Sequence, residues 1–380
     1  MSVLSTVQQQ AGSGGLFARP ARIASLDAGR GLMLVASVGT EAVLDPRPEQ
    51  LVHAAWIGLT AYDLIFPTFV VLSGCGLAFA YARHVSLTTT LRRTGMLLLA
   101  GLAYSAAVAH SSDLSQLRWT GPLQLYAALV LLLAALHVVV RGPAAWAGVT
   151  ATAAGVHAVF LLRWQSSCGG VLTPDCNPSR TIDLAWLGAA HSYRQGALGH
   201  DPEGLVVLAG ALVSACVGVT AGHLLLRART RQRAGLPPQA WLCAAWAAAV
   251  GLAAAGLSQV LPVAKRLWTS PFALGAAALA VLLLAVVHAV LADRRTSTAA
   301  SGRARDRVAG PLVALGRNSL LVYFGSHLLQ DQLAYRGRAE PWADAIAVLG
   351  HPRITWVIAS VAAWTALAVV LDRRRIYLRP

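Results

Sequence analysis

An all-α, polytopic transmembrane bundle of about ten helices is predicted for this 380-residue chain by three observations. Hydrophobic residues make up 56% and charged residues only 12%. The mean hydropathy is +0.58. Apolar runs continue for about 20 residues, the length that spans a bilayer as a helix. Soluble domains carry roughly 25% charged residues, so the composition excludes an ordinary cytosolic enzyme, a disordered chain and a disulfide-rich secreted module. Aromatics are only 7%, and the apolar mass is Ala, Leu and Val. Strands of an outer-membrane barrel would alternate polar and apolar residues, which these runs do not do.

The elements follow in order. Segment 1–20 is polar and reads as a disordered cytoplasmic N-terminus without a cleavable signal peptide. Residues 21–372 read as one transmembrane domain. Its first span, 24–44, is the least regular because Asp27 and Arg30 sit in the opening turns. The second, 60–82, carries Asp63 and also Pro67, which removes a helix donor and frees carbonyls. Such groups at membrane depth must face protein or a water-filled cavity. Spans three to five lie at 94–110, 120–140 and 144–163. An outer loop, 164–203, comes next, and loops of that length are functional or disordered. Spans six to eight, 204–226, 240–260 and 270–292, are Ala/Leu/Val runs. A basic stretch at 296–307 reads as a flexible loop, followed by spans at 309–329 and 354–371 and a basic cytoplasmic tail, 373–380. No internal repeat is visible.

The net charge of +15 would suggest nucleic acid in a soluble protein. With both termini in the cytoplasm, the inner segments hold 21 arginines against four acids, and the outer segments ten basic residues against twelve acids. That asymmetry is what the positive-inside rule predicts, so the partner of the charge is the lipid bilayer and no nucleic acid is called for. The expected location is the cell (plasma) membrane, as a multi-pass protein. A second copy of the chain, as a homodimer, is a further candidate partner.

Polar residues inside or beside apolar spans mark function. The densest block runs from His53 through Trp56, Gly58, Thr60, Tyr62 and Asp63 to Pro67. His53 falls on the outer side, where a neutral imidazole can take a proton near pH 7. A second block holds Asn177, Asp183, His191, Tyr193, His200, Asp201 and Glu203; Asp201 and Glu203 are also suited to cap the sixth span. A third is Lys265–Ser270, including Trp268, and a fourth opens on Gly316-Arg317-Asn318 at the inner face. No HxxxH or CxxC spacing supports zinc, so no metal is expected. Cys168 and Cys176 share the outer loop, where they either bridge or remain free thiols.

Taken in chain order, these blocks resemble the membrane-embedded heparan-α-glucosaminide N-acetyltransferase family and its bacterial relatives. Ser25-Leu26-Asp27-Ala28-Gly29-Arg30-Gly31 is similar to the family's opening block, and His53 to Pro67 to its His-to-Pro block. Gly121-Pro122-Leu123-Gln124 is similar to a third block, with Leu125 where the family has arginine. Asn177–Gly204, Lys265–Ser270 and Gly316–Tyr323 complete the series.

The resemblance implies transfer of an acetyl group from cytosolic acetyl-CoA, as co-substrate, to an amine or hydroxyl acceptor on the outer side. In the eukaryotic enzymes that acceptor is a terminal glucosamine. The small-molecule acceptor here is expected to be an amino sugar or a related compound. The family's essential histidine falls on His53, as base or as a transient acetyl carrier. Asp63 is assigned beside it, with Asp201 and Glu203 as other carboxylates able to orient the imidazole. A family asparagine at the end of the first span falls on Glu41, a carboxylate that cannot donate unless protonated. Trp56, His191 and His200 are assigned to acceptor binding together with Asp201, Glu203, Lys265 and Trp268. Arg30, Gln124, Arg317 and Asn318 are assigned to acetyl-CoA. The alternative is a membrane protein of the same fold that does not transfer acetyl groups, such as a transporter or a tailoring enzyme of a biosynthetic pathway.

Overall fold

The computed structural model describes residues 23–111, 113–231, 239–292, 299–348 and 350–378. Among them the predicted all-α class is observed, as thirteen helices. These are α1 (Ala24–Glu41), α2 (Ile65–Ala80), α3 (Leu87–Val108), α4 (Pro122–Val139), α5 (Gly142–Ser167), α6 (Pro178–Leu187) and α7 (Leu205–Arg231). The series continues with α8 (Gln239–Leu257), α9 (Ser270–Ala292), α10 (Ala299–Arg317), α11 (Ser319–Tyr335), α12 (Ala339–Ala345) and α13 (Pro352–Arg373).

Among the described residues, seven stretches are long and apolar enough to cross a membrane: Tyr62–Ala80, α4, α5, Leu205–Arg227, α8, Ser270–Leu291 and α13. The first and third expected spans are helical but more polar, since α1 carries Asp27, Arg30 and Glu41 and α3 carries Arg92 and Arg93 in its first half.

Three expectations are corrected. The ninth span, 309–329, is not continuous: it breaks at Asn318 (φ −109, ψ 26) between α10 and α11. The Asn318 amide donates back to the Ala314 carbonyl at 3.3 Å, a local side-chain bond that competes with the helical ladder. The basic stretch 296–307 is helical from Ala299 onward, as its Ala and Arg content favours; residues 296–298 lie outside the described residues. The expected loop 164–203 is also partly helical, since α5 extends to Ser167 and α6 forms within it. The amino-terminal segment 1–20 lies outside the described residues, as do residues 379–380 of the tail.

Helices in lipid gain little from burying apolar surface against one another, so close packing through small residues holds them together. The centre of the bundle follows that rule. Helix α2 buries Val70, Val71, Leu72 and Cys75 against the small-residue stretch of α7 around Ala211, Ala215 and Cys216. Helices α1 and α10 cross almost backbone to backbone: Gly31 lies against the Leu312 carbonyl and Gly316 against the Asp27 carbonyl, and a Cβ at either position would overlap. Two of the motif blocks thus meet there, at one end of the bundle. At the other end the loop 42–61 folds over α2, pinned by the Gly58 N–H donating to the Val263 carbonyl at 2.8 Å.

Candidate functional site

The end of the bundle beneath loop 42–61 is built around Asp63. The single 3-10 turn Tyr62–Leu64 leads into α2 and holds the Asp63 carboxylate with none of its side chain exposed. Three neighbours donate to it: His53 Nδ1 at 2.7 Å, and the N–H groups of Ala54 and Thr60, each at 3.2 Å. His53 is held by Asp63, with its ring packed 4.6 Å from that of Tyr62. With Nδ1–H committed to the carboxylate, Nε2 is the free nitrogen. The imidazole keeps an open edge, 36% exposed. Its remaining surroundings desolvate it, and that burial, with the charges of Lys265 and Arg266, lowers its pKa below the ordinary histidine value despite Asp63. Of the carboxylates considered for orienting His53, Asp63 is the one in contact.

Asp201 and Glu203 are engaged elsewhere, by a residue that sequence reasoning missed. Arg118 Nη2 reaches Asp201 Oδ1 at 2.8 Å and Glu203 Oε2 at 2.5 Å. The Thr120 hydroxyl and the Tyr193 N–H donate to the other Asp201 oxygen, at 2.7 and 2.8 Å. Burial alone would raise the Asp201 pKa, but Arg118 and these donors hold it below the usual carboxylate range. The start of α7 is capped by Asp183, which accepts from the Leu205 N–H at 2.7 Å. Burial pushes the Asp183 carboxyl up to about 6.

The other assigned residues separate into groups. Trp56 donates to the Leu172 carbonyl at 2.8 Å and meets His200 edge-on at 5.5 Å. His200 is buried, and desolvation brings its pKa down to about 4. His191 stacks on Trp119 at 3.7 Å. Lys265 is buried, which lowers its pKa, with Glu203 and Asp63 as the nearest charges opposing that. Trp268 is fully buried and donates to Ser214 at 3.0 Å, so it packs under Phe66 in the core instead of joining the loop cluster. Cys168 and Cys176 form a disulfide. Among the described residues no three His, Cys, Asp or Glu side chains converge as a metal site.

Glu41 lies beyond Tyr62. It accepts from the Tyr62 hydroxyl at 3.2 Å and sits 3.8 Å from Nε2 of His327. His327 is another residue not singled out from sequence; its signal was a histidine inside an expected apolar span.

A cavity of about 410 Å³ runs through the same helices. Near the crossing of α1 and α10 its wall includes Asp27, Arg30, Arg93 and Arg317, and toward the other end it includes Phe66, Phe69, Tyr126 and Tyr323. Tyr323 stacks on His327 at 4.3 Å, which links the cavity wall through His327 to Glu41 and Tyr62. Of the residues assigned to acetyl-CoA, Arg30 and Arg317 line it, whereas Gln124 packs against Gly101 and Gly121 and Asn318 is buried beside Ala314. Arg317 is paired with Asp372 at 3.0 Å. Arg30 donates to the Leu72 carbonyl at 3.0 Å and lies 4.0 Å from Asp27. Arg93, missed in the sequence because it reads as a positive-inside anchor, has its Nε buried without a partner.

Residues 22–191 match the family model described as the catalytic part of heparan-alpha-glucosaminide N-acetyltransferase. The human heparan-alpha-glucosaminide N-acetyltransferase is 24% identical over 435 aligned positions, which cover 95% of this chain and 60% of the human protein. The mouse heparan-alpha-glucosaminide N-acetyltransferase is 24% identical over 210 positions, covering 52% of this chain and 29% of the mouse protein. The chain thus spans about three-fifths of the length of its human relative. Seven helices fit to cross a bilayer among the described residues, the ordered motif blocks and these matches lead to one conclusion: the protein is a multi-pass membrane protein similar to the heparan-α-glucosaminide N-acetyltransferases.

Proposed function

We infer that the protein moves an acetyl group from acetyl-CoA, entering the cavity from the cytosolic side, to the amine or hydroxyl of an outer small molecule such as an amino sugar. Both termini are taken as cytoplasmic, which puts the Arg30–Arg93 end of the cavity inside and His53 outside. The single observation that carries the reading is the His53–Asp63 hydrogen bond of 2.7 Å, at the end of the bundle opposite the arginines of the cavity wall. Acyl transfer needs a base, a bound thioester and stabilisation of the tetrahedral oxyanion. Asp63 fixes the tautomer of His53, and Nε2 takes the proton of the acceptor. The acceptor nitrogen or oxygen adds to the thioester carbonyl carbon. The intermediate collapses with cleavage of the C–S bond, and the proton held by His53 goes to the departing thiolate. Arg30 and Arg93 suit the phosphates of the nucleotide, and the aromatic section of the cavity suits the pantetheine arm.

On the outer side the acidic clamp at Arg118, with Trp119, His191 and Trp56, forms the surroundings in which a sugar amine would be held. The test is product analysis with purified protein, labelled acetyl-CoA and a panel of amino sugars and hydroxyl acceptors. Label appearing in an acceptor is the expected result. Neither transfer nor hydrolysis of acetyl-CoA would overturn the reading in favour of transport or another role for the cavity.

A further inference from the structure

The acyl-transfer reading leaves open which group stabilises the oxygen of the thioester, and the following inference rests on that reading. Glu41 stands where the resemblance expects an amide, and an ionised carboxylate has no hydrogen to give. Its neighbours change that. His327 Nδ1 lies 2.8 Å from the backbone carbonyl of Tyr323. A carbonyl only accepts, so Nδ1 carries the hydrogen, and Nε2 is the atom turned toward Glu41. Nε2 and Glu41 Oε2 are 3.8 Å apart. A bare imidazole lone pair facing a carboxylate is repulsive; one proton on either group makes the pair favourable. The separation exceeds a hydrogen bond, so that proton is not used up between the two groups and can be directed to a third oxygen.

The pair adjoins the cavity through Tyr323, which lines the cavity and stacks on His327. Tyr62, whose hydroxyl donates to Glu41, packs its ring against His53. Both partners of the pair are largely enclosed, with 15% of the His327 side chain and 18% of the Glu41 side chain exposed, and donors in such a site are worth more than in water.

We propose that one member of the His327–Glu41 pair carries a proton and presents it to the thioester carbonyl, which makes the pair the oxyanion-stabilising donor of the transfer. When the acceptor adds to the carbonyl carbon, the C=O electron pair moves onto oxygen and accepts this hydrogen bond. When the pair returns and the C–S bond breaks, the bond to the donor weakens. The pair's proton is not consumed, and the thiolate leaves with the proton that His53 removed from the acceptor.

The test compares transfer from labelled acetyl-CoA in wild type and variants, with acetyl-CoA binding as the check on folding. His327→Ala should lower kcat by about 10²–10³-fold with binding retained, the usual loss for one oxyanion donor. Adding Glu41→Asn to His327→Ala should restore about tenfold or more, because an amide brings its own N–H. A packing role for His327 predicts no such rescue. If His327→Ala does not fold, the single variants decide: Glu41→Asn should exceed Glu41→Leu in kcat by about tenfold or more. Wild-type transfer with unimpaired His327→Ala, or without either advantage of asparagine, overturns this inference alone. A wild type that transfers acetyl to no acceptor overturns the acyl-transfer reading and this inference with it.

Discussion

His53 and Asp63 are joined by a 2.7 Å hydrogen bond that commits one imidazole nitrogen and leaves the other free. The geometry is over-determined. The buried carboxylate also accepts from two backbone N–H groups, those of Ala54 and Thr60, so loop 42–61 is folded onto the residue that orients its histidine. General-base removal costs about 10²–10⁴ in rate. His53→Ala is therefore expected to lose that much kcat while still binding acetyl-CoA. Asp63→Asn should fall at the lower end of the same range, because the imidazole remains but its tautomer is no longer fixed. Steady-state transfer rates paired with equilibrium binding check both; a folded His53→Ala with near-normal turnover would remove His53 from the chemistry.

The pH profile follows from the direction of the His53 shift. In the proposed transfer the working form is the neutral imidazole, and burial lowers its pKa below the ordinary value of 6.5. Activity should thus be retained as pH falls through 6.5 and be lost only below it. The Asp63 hydrogen bond opposes that lowering, so Asp63→Asn should move the acid limb of kcat/KM to still lower pH. A limb above 6.5, or one that moves upward in Asp63→Asn, would contradict the assignment.

The helical class and the order of the motif blocks were legible in the sequence because they depend on apolar run length and on residues close together in the chain. His53 and Asp63 fall in one block of fifteen residues, and loop 42–61 brings them into contact. Contacts between distant segments were not legible. Arg118 meets Asp201 across 83 residues, and nothing local marks it except a basic side chain on a face where acids predominate. His327 meets Glu41 only because α11 stands beside α1. The break at Asn318 was hidden because the expected span is apolar on both sides of it.

Arg118 is expected to matter for the stability of the outer cluster. Its guanidinium is the counter-charge of Asp201, a residue only 2% exposed. Removing one partner of a buried pair leaves the other charge uncompensated and costs about 3–5 kcal/mol. Arg118→Ala should accordingly loosen residues 190–204, read as faster hydrogen exchange there and a lower melting temperature. The Asp201 pKa is depressed in the folded protein, so its contribution is present at neutral pH and is lost as pH falls through the folded value. Wild-type exchange in this segment should therefore rise on acidification, and Arg118→Ala should show a smaller rise. Equal exchange in the two proteins at neutral pH would mean that the clamp does not hold the segment.

Arg93 and Arg30 should control acetyl-CoA affinity, with little effect on the chemical step. Both line one cavity, and Arg93 has its buried Nε without a partner. Arg317, in contrast, is already occupied by Asp372 at 3.0 Å and stands 3.7 Å from Asp27. A guanidinium held in an enclosed wall beside another cation is a favourable partner for phosphate, which it can bind through two parallel N–H donors. A hydrogen bond to a charged group contributes about 1.5–3 kcal/mol, roughly 10–150-fold in affinity. Arg93→Ala should weaken acetyl-CoA by an amount in that range and raise KM to match, with kcat at saturation close to wild type. Arg93→Lys should recover part of the loss, since the charge returns without the planar fork. Arg317→Ala should weaken binding less than Arg93→Ala, because Arg317 already spends its donors within the protein. Titration of acetyl-CoA and of desulfo- or dephospho-analogues against each variant separates the terms. If Arg93→Ala binds acetyl-CoA as tightly as wild type, Arg93 does not hold the nucleotide.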